Sequence, residues 1–140
     1  MPKATEPDRL VAAALEARSQ AVAPYSGFRV GAALLSTSGE IFTGANVESA
    51  SFGLTCCAER VALFHALSQG ARSFRAIAVV AEADDGPMPC GACRQLLAEY
   101  APNVRILICD SRKPDRIRRF RISQLLPKPF VLARVDSASS

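Results

Sequence analysis

Thr55-Cys56-Cys57-Ala58-Glu59-Arg60 is followed, 33 residues beyond Cys57, by Pro89-Cys90-Gly91-Ala92-Cys93-Arg94-Gln95. The two stretches offer three thiols, Cys57, Cys90 and Cys93, with the Glu59 carboxylate beside them. Three protein ligands leave one corner of a tetrahedral zinc ion open to water, the pattern of a catalytic rather than a structural centre. An unbound carboxylate at that corner is placed to move protons. Cys57 rather than Cys56 is the expected ligand, because it stands in the Cys-x-Glu spacing and adjacent residues at a helix start point in different directions.

Both stretches open helices. The first is expected over Cys57–Gln69, with Gly70 as its stop and Val61, Leu63, Phe64 and Leu67 as its buried side. The second runs from Cys90 to near Tyr100. A helix N-terminus favours the thiolate over the thiol, since the positive end of the macrodipole lies there.

Working outward, Phe28–Ser36 and Glu40–Asn46 read as a hairpin around the turn Thr37-Ser38-Gly39. Asn46 and Glu48, two apart on extended chain, point the same way. An amide and a carboxylate together supply the donor and acceptor that a sugar hydroxyl needs. Further upstream, Thr5 and Asp8 make a capping box for an alanine-rich helix reaching about Val22, with Leu10, Ala14, Ala17 and Ala21 along one side. Downstream, Arg75–Ala83 is apolar enough for a central strand covered on both faces. An acidic loop Glu82–Pro87, a strand Val104–Cys109, an edge strand Ile117–Ile122 and a last turn capped by Ser123 complete the chain. The alternation of strands and helices predicts a three-layer α/β/α sandwich on a mixed five-stranded sheet. Parallel pairing is expected, with the cysteine helices starting at the carboxyl ends of neighbouring strands.

With 140 residues, 49% hydrophobic and 21% charged, the chain suits one globular domain, its core at about 6–130 between short tails, and excludes a disordered one. No apolar run nears the ~20 residues of a membrane span. The N-terminal stretch lacks the apolar core of a secretory signal, so a cytoplasmic location is expected. Five cysteines is an odd count, which argues against a disulfide framework and for reduced, metal-binding thiols. Residues 101–140 carry 9 Lys/Arg against 3 Asp/Glu, whereas residues 1–100 carry 8 against 10. The basic run Arg112–Arg121 reads as a solvated loop and edge strand, where charge blocks unwanted pairing. Only Phe120 interleaves with these cations, so a nucleic-acid surface is not expected.

Cys57-Ala58-Glu59 with Pro89-Cys90-Gly91-Ala92-Cys93-Arg94-Gln95 resembles the cytidine deaminase family, in its small, all-cysteine, homotetrameric branch. Tyr25-Ser26-Gly27-Phe28-Arg29-Val30-Gly31-Ala32-Ala33, Asn46-Val47-Glu48, and Leu125-Leu126-Pro127 followed by Phe130 carry the resemblance from about Leu10 to Phe130. It implies hydrolytic deamination of cytidine and 2′-deoxycytidine to the uridines and ammonia, in pyrimidine salvage. One Zn2+ per subunit is held by Cys57, Cys90 and Cys93, and Glu59 alternates between base and acid. In the family, the counterpart of Arg60 contacts the cysteine sulfurs; Arg94 is expected to share that charge compensation. The counterparts of Asn46 and Glu48 hold the ribose. The Ala58 N–H and the Met88 carbonyl meet base edges, and Phe28 and Phe130 stack on the pyrimidine. Phe130 is expected to reach the site of a neighbouring subunit, so that a homotetramer completes each pocket around a small nucleoside, with no nucleic acid and no membrane involved.

Three departures stand out: Cys56 beside the ligand, Phe52 where relatives often carry Tyr, and Met88 where they often carry Ser. Rival readings are a deaminase for another aminopyrimidine nucleoside of the blasticidin-S kind and a zinc-stabilised RNA-binding module. His65 is expected to lie outside the metal site, about 12 Å along its helix from Cys57. Cys109, in an apolar strand, is not expected as a fourth ligand.

Overall fold

The computed structural model describes residues 4–135; the outermost parts of the expected tails lie outside the described residues. The chain runs α1 (Glu6–Arg18), β1 (Val30–Ser36), β2 (Ile41–Ala45), a 3-10 turn (Phe52–Leu54), α2 (Ala58–Ser68), β3 (Phe74–Ala81), α3 (Gly91–Tyr100), β4 (Arg105–Asp110), β5 (Ile117–Arg121) and α4 (Ile122–Leu125). The five strands form one mixed sheet in the order β2-β1-β3-β4-β5. Only β3 and β4 pair parallel; β1 pairs antiparallel with both β2 and β3, and β5 antiparallel with β4.

This order corrects one expectation. The cysteine helices follow β2 and β3, but those strands are not neighbours, because β1 lies between them. Two antiparallel pairings in succession still leave β2 and β3 running the same way, so both helices start at the same edge of the sheet.

Two apolar layers hold the sandwich together. On one face Leu10, Val11 and Ala14 of α1 pack on Ala33, Leu35, Ala76, Ala78, Val80 and Leu107. On the other, Ala58, Ala62, Leu63 and Ala66 of α2 and Leu97 of α3 pack on Leu34, Phe42, Ile77, Val79, Ile106 and Ile108. Alternate residues of β3 serve the two layers, as period-two geometry requires. The capping box of α1 is complete: Asp8 N–H donates to Thr5 Oγ1 and Thr5 N–H to Asp8 Oδ2, each at 3.2 Å.

The helix stops at Arg18 rather than Val22. Val22 is drawn out of helical geometry because its backbone bridges Val47, donating to Asn46 O and accepting from Glu48 N at 2.9 Å each. The buried side of α2 also differs from expectation. Ala58, Ala62, Leu63 and Ala66 face inward, whereas Phe64 is 46% exposed and Val61 and Leu67 are only half-buried. Gly44 explains this: a Cβ there would lie 2.4 Å from Ala62 N and 2.7 Å from Ala58 O. The helix backbone rests directly on the strand, leaving room only for small side chains.

The last strand is an edge, with Arg118, Arg119 and Arg121 exposed along it, as the basic composition suggested. Within this region Arg112 pairs with Asp84 and Asp110, and Arg118 donates to the Asp85 carbonyl. The closing turn is capped by Gln124, whose Oε1 accepts from Arg121 N–H at 2.8 Å; Ser123 sits inside it. Among the described residues no helix is long and apolar enough to cross a membrane.

Candidate active site

Cys57 is the N-cap of α2 and Cys90 the N-cap of α3, and Cys93 follows in the first turn of α3. Neither cap accepts a hydrogen bond from the backbone of its own helix, so the sulfurs are left to face one another. The Sγ of Cys57 lies 3.9 Å from that of Cys90, which lies 3.5 Å from that of Cys93, and all three fall within 4.8 Å. A tetrahedral ion with Zn–S bonds of about 2.3 Å sets its sulfurs roughly 3.8 Å apart. The three cysteines therefore fit zinc in number, spacing and softness. Cys109 is buried on the α1 side of the sheet, away from this cluster. His65 is also outside it, its ring edge-on to Phe42 at 5.5 Å.

Glu59, the second residue of α2, is 6% exposed. Burial raises its carboxyl to about 7, and the nearby Cys57 thiolate adds to the rise. The Cys57 thiol moves the other way, down to about 5, because Cys93 donates to its sulfur and the Arg60 guanidinium lies beside it. Cys93 is correspondingly pushed up by giving that hydrogen bond and by burial. Thus the isolated cluster holds one ready thiolate next to a carboxyl poised near neutrality.

Arg60 Nη2 donates to Cys57 Sγ at 3.3 Å and to Thr55 O at 3.4 Å, as expected for a counter-charge to sulfur. Its Nε is buried, with no partner among the described residues. Arg94 makes different contacts. Its Nε donates to Pro89 O at 2.8 Å and its Nη1 to Leu125 O at 2.9 Å, so the guanidinium fixes two stretches of backbone instead.

Asn46 and Glu48 are brought beside the cysteines by a short ladder. Val47 pairs antiparallel with Cys56, N–H to carbonyl in both directions at 2.9 and 3.0 Å, and with Val22 on its other side. Cys56 thus has a backbone role, with its side chain half-buried. Both polar side chains point, as expected, to one side, toward the loop Tyr25–Val30. Asn46 is buried; its Oδ1 accepts from Val30 N–H and its Nδ2 donates to Phe28 O, each at 2.8 Å. Glu48 Oε1 accepts from the N–H groups of Tyr25 and Ser26 at 3.0 Å, and its Oε2 accepts from the Ser26 hydroxyl. The Ser26 contacts hold the Glu48 carboxyl below the ordinary carboxylate range. Tyr25, Ser26, Glu48, Ser49, Phe52 and Thr55 line a groove of about 300 Å³.

Ala58 is fully buried at the first position of α2, while Phe28 is 43% and Met88 39% exposed. Phe130 is 68% exposed and shares a surface groove with Ala98, Glu99 and Tyr100 of α3. Two residues with defined polar work, Ser26 and Gln95, had no assigned role from sequence. Both lie inside quoted motifs, but their partners are distant in the chain and carry no local signal.

A family model for the cytidine and deoxycytidylate deaminase zinc-binding region matches residues 4–109. A cytidine deaminase of Halalkalibacterium halodurans is 49% identical over 121 residues, covering 86% of this chain and 91% of its own length. Another, of Sporosarcina psychrophila, is 45% identical over 123 residues, covering 88% and 90%. The crystal structure of cytidine deaminase from Burkholderia pseudomallei superposes with a TM-score of 0.83 at 46% identity, over 87% of this chain and 97% of that one. A three-sulfur pocket at two helix starts, on this sheet and in this sequence context, means that the chain belongs to the cytidine and deoxycytidylate deaminase family.

Proposed function

We propose that this chain is a cytidine deaminase of pyrimidine salvage: cytidine or 2′-deoxycytidine and water become the uridine and ammonia. The observation that carries the reading is the buried Glu59 standing next to three cysteine sulfurs arranged for one metal ion. Cys57, Cys90 and Cys93 would hold zinc, which when bound would supply a water acidic enough to act as a nucleophile near neutral pH.

The rest is done by side chains. Glu59 takes a proton from the attacking water and delivers it to N3 of the ring; it then carries the second proton to the departing amine at C4. Its raised affinity for protons, set by burial, suits a group that must both accept and give near pH 7. Arg60 offsets the negative charge that three thiolates bring to a divalent ion. The Ala58 N–H, at the first position of a helix, and the Met88 carbonyl hold the base edges. Asn46 and Glu48 each keep unused lone pairs or N–H capacity beyond their loop contacts, and these serve the ribose hydroxyls. Phe28 packs on one side of the pyrimidine.

Phe130 belongs to the pocket of a neighbouring subunit in a homotetramer. Exposed Phe52, Leu54, Phe130, Val131 and Leu132, between 68% and 80% open to solvent, support association of copies. Residues 1–140 act as one domain, since both apolar layers share a single sheet, and five free cysteines suit a reducing cytoplasm. The test is the ultraviolet change on converting cytidine to uridine, with and without a chelator. Activity lost on chelation and restored by zinc is expected; a zinc-containing preparation that leaves cytidine untouched overturns the reading.

A further inference from the structure

Gln95, in the second turn of the helix that carries Cys90 and Cys93, holds the backbone of Phe130 from both sides. Its Oε1 accepts from Phe130 N–H at 3.1 Å and its Nε2 donates to Phe130 O at 2.9 Å. The second amide proton goes to Glu99 Oε1 at 3.0 Å. These three contacts settle the amide orientation, because a flipped amide would set N–H against N–H and oxygen against both a carbonyl and a carboxylate.

The grip matters because the segment has no other regular support. Residues 127–135 belong to no helix or strand and make no backbone–backbone hydrogen bond among the described residues. Arg94 anchors Leu125 to the same helix, and Arg134 Nη2 reaches Glu99 O at 3.2 Å farther along it. Between these two points, Gln95 supplies both partners of the Phe130 peptide groups. Fixing the N–H and carbonyl of one residue fixes the direction of its Cα–Cβ bond. An exposed aromatic on otherwise irregular chain is thereby aimed before anything binds to it.

We infer that Gln95 is a positioning residue for substrate affinity: by clamping the backbone of Phe130 it orients the ring that closes the nucleoside pocket, and it ties that ring to the zinc helix. The inference rests on the reading in which Phe130 stacks on the base. Only an amide of this length suits the task. A carboxylate offers no donor to the carbonyl, and Asn is one methylene shorter.

The experiment is a double-mutant cycle on the zinc-loaded enzyme, with KM and kcat for cytidine measured in Q95M, F130A and the pair. Met keeps the length and helix preference of Gln but neither hydrogen bond. Q95M is expected to raise KM about fivefold, the scale of one hydrogen bond, with kcat and zinc content unchanged. In the F130A background the same change is expected to add nothing. An unchanged KM in Q95M while F130A raises it, or two effects that simply multiply, overturns the inference. A KM unaffected by F130A strikes instead at the placement of Phe130 in the pocket and takes the inference with it. Should Q95M lose zinc, Q95E replaces it in the cycle. It retains an acceptor for Phe130 N–H and is expected to raise KM, again with no further effect on F130A; an independent effect there rejects the clamp.

Discussion

Arg60 reaches back along α2 and donates from Nη2 to Cys57 Sγ across 3.3 Å. With the hydrogen bond from Cys93, this contact brings the thiol from its ordinary 9.0 down to about 5. In zinc-free protein, alkylation of Cys57 followed by peptide mapping should therefore rise with a midpoint near pH 5. In R60A the midpoint should move up toward the ordinary value, and R60K should restore part of the shift. An identical profile in R60A would show that the guanidinium does not act on this sulfur.

Glu59→Gln should keep zinc and lose turnover by about 10²–10⁴-fold, the range for removing a positioned acid–base group. The same variant has a pH signature without metal. Glu59 binds its proton more tightly in the folded chain, at about 7, than at its ordinary 4.5. Its contribution to stability is therefore complete below 4.5 and lost as pH rises through about 7. Because Gln stays neutral, the melting temperature of zinc-free E59Q relative to the parent should climb across that interval. A pH-independent offset between the two would reject the assignment.

Gly44→Ala tests how α2 is seated. The added methyl would lie 2.4 Å from Ala62 N, so helix or strand must shift. A loss of about 1–3 kcal/mol in urea unfolding is expected, the range for overpacking. Zinc retention should fall with it, since Cys57 caps the displaced helix. Gly53→Ala, where a Cβ meets nothing within 4 Å, is the control and should leave both unchanged.

Asp110 closes β4 and accepts from Arg112 at its backbone N–H, Nε and Nη2, at 3.0, 3.0 and 2.9 Å. These contacts hold its carboxyl below the ordinary 3.8. The stabilisation is present above that value and lost as pH falls through the lower, folded one. D110N should therefore unfold at lower urea than the parent at pH 7, and the gap should close in strong acid. A gap that persists there would assign the effect to packing rather than charge.

The proposed sharing of pockets between subunits predicts complementation. E59Q supplies an intact Phe130 but no proton carrier, and F130A the reverse. Co-refolded subunits should regain low-KM activity that neither variant has alone. No gain on mixing, in samples shown by light scattering to associate, would place Phe130 within its own chain's site.

The metal chemistry was legible in the chain because it is local. A Cys-x-Glu and a Pro-Cys-x-x-Cys, each at a helix start, specify the ligand type and the proposed proton carrier over a few residues. The same holds for the capping box at Thr5 and the edge strand of arginines. What local pattern could not decide was which surfaces meet. Hydrophobicity favoured Phe64 for the buried side of α2, yet the absent Cβ of Gly44 lets the helix backbone sit so close that only alanines and Leu63 fit beneath it. Period-two alternation did not say that β1 would insert between β2 and β3, because pairing order depends on strands far apart in the chain. Nor did Arg94 and Gln95, read as helix residues, announce their hold on Leu125 and Phe130 more than thirty positions away. Residue chemistry was written in the order of the amino acids; the partner of each donor was chosen only when distant backbone came within hydrogen-bonding reach.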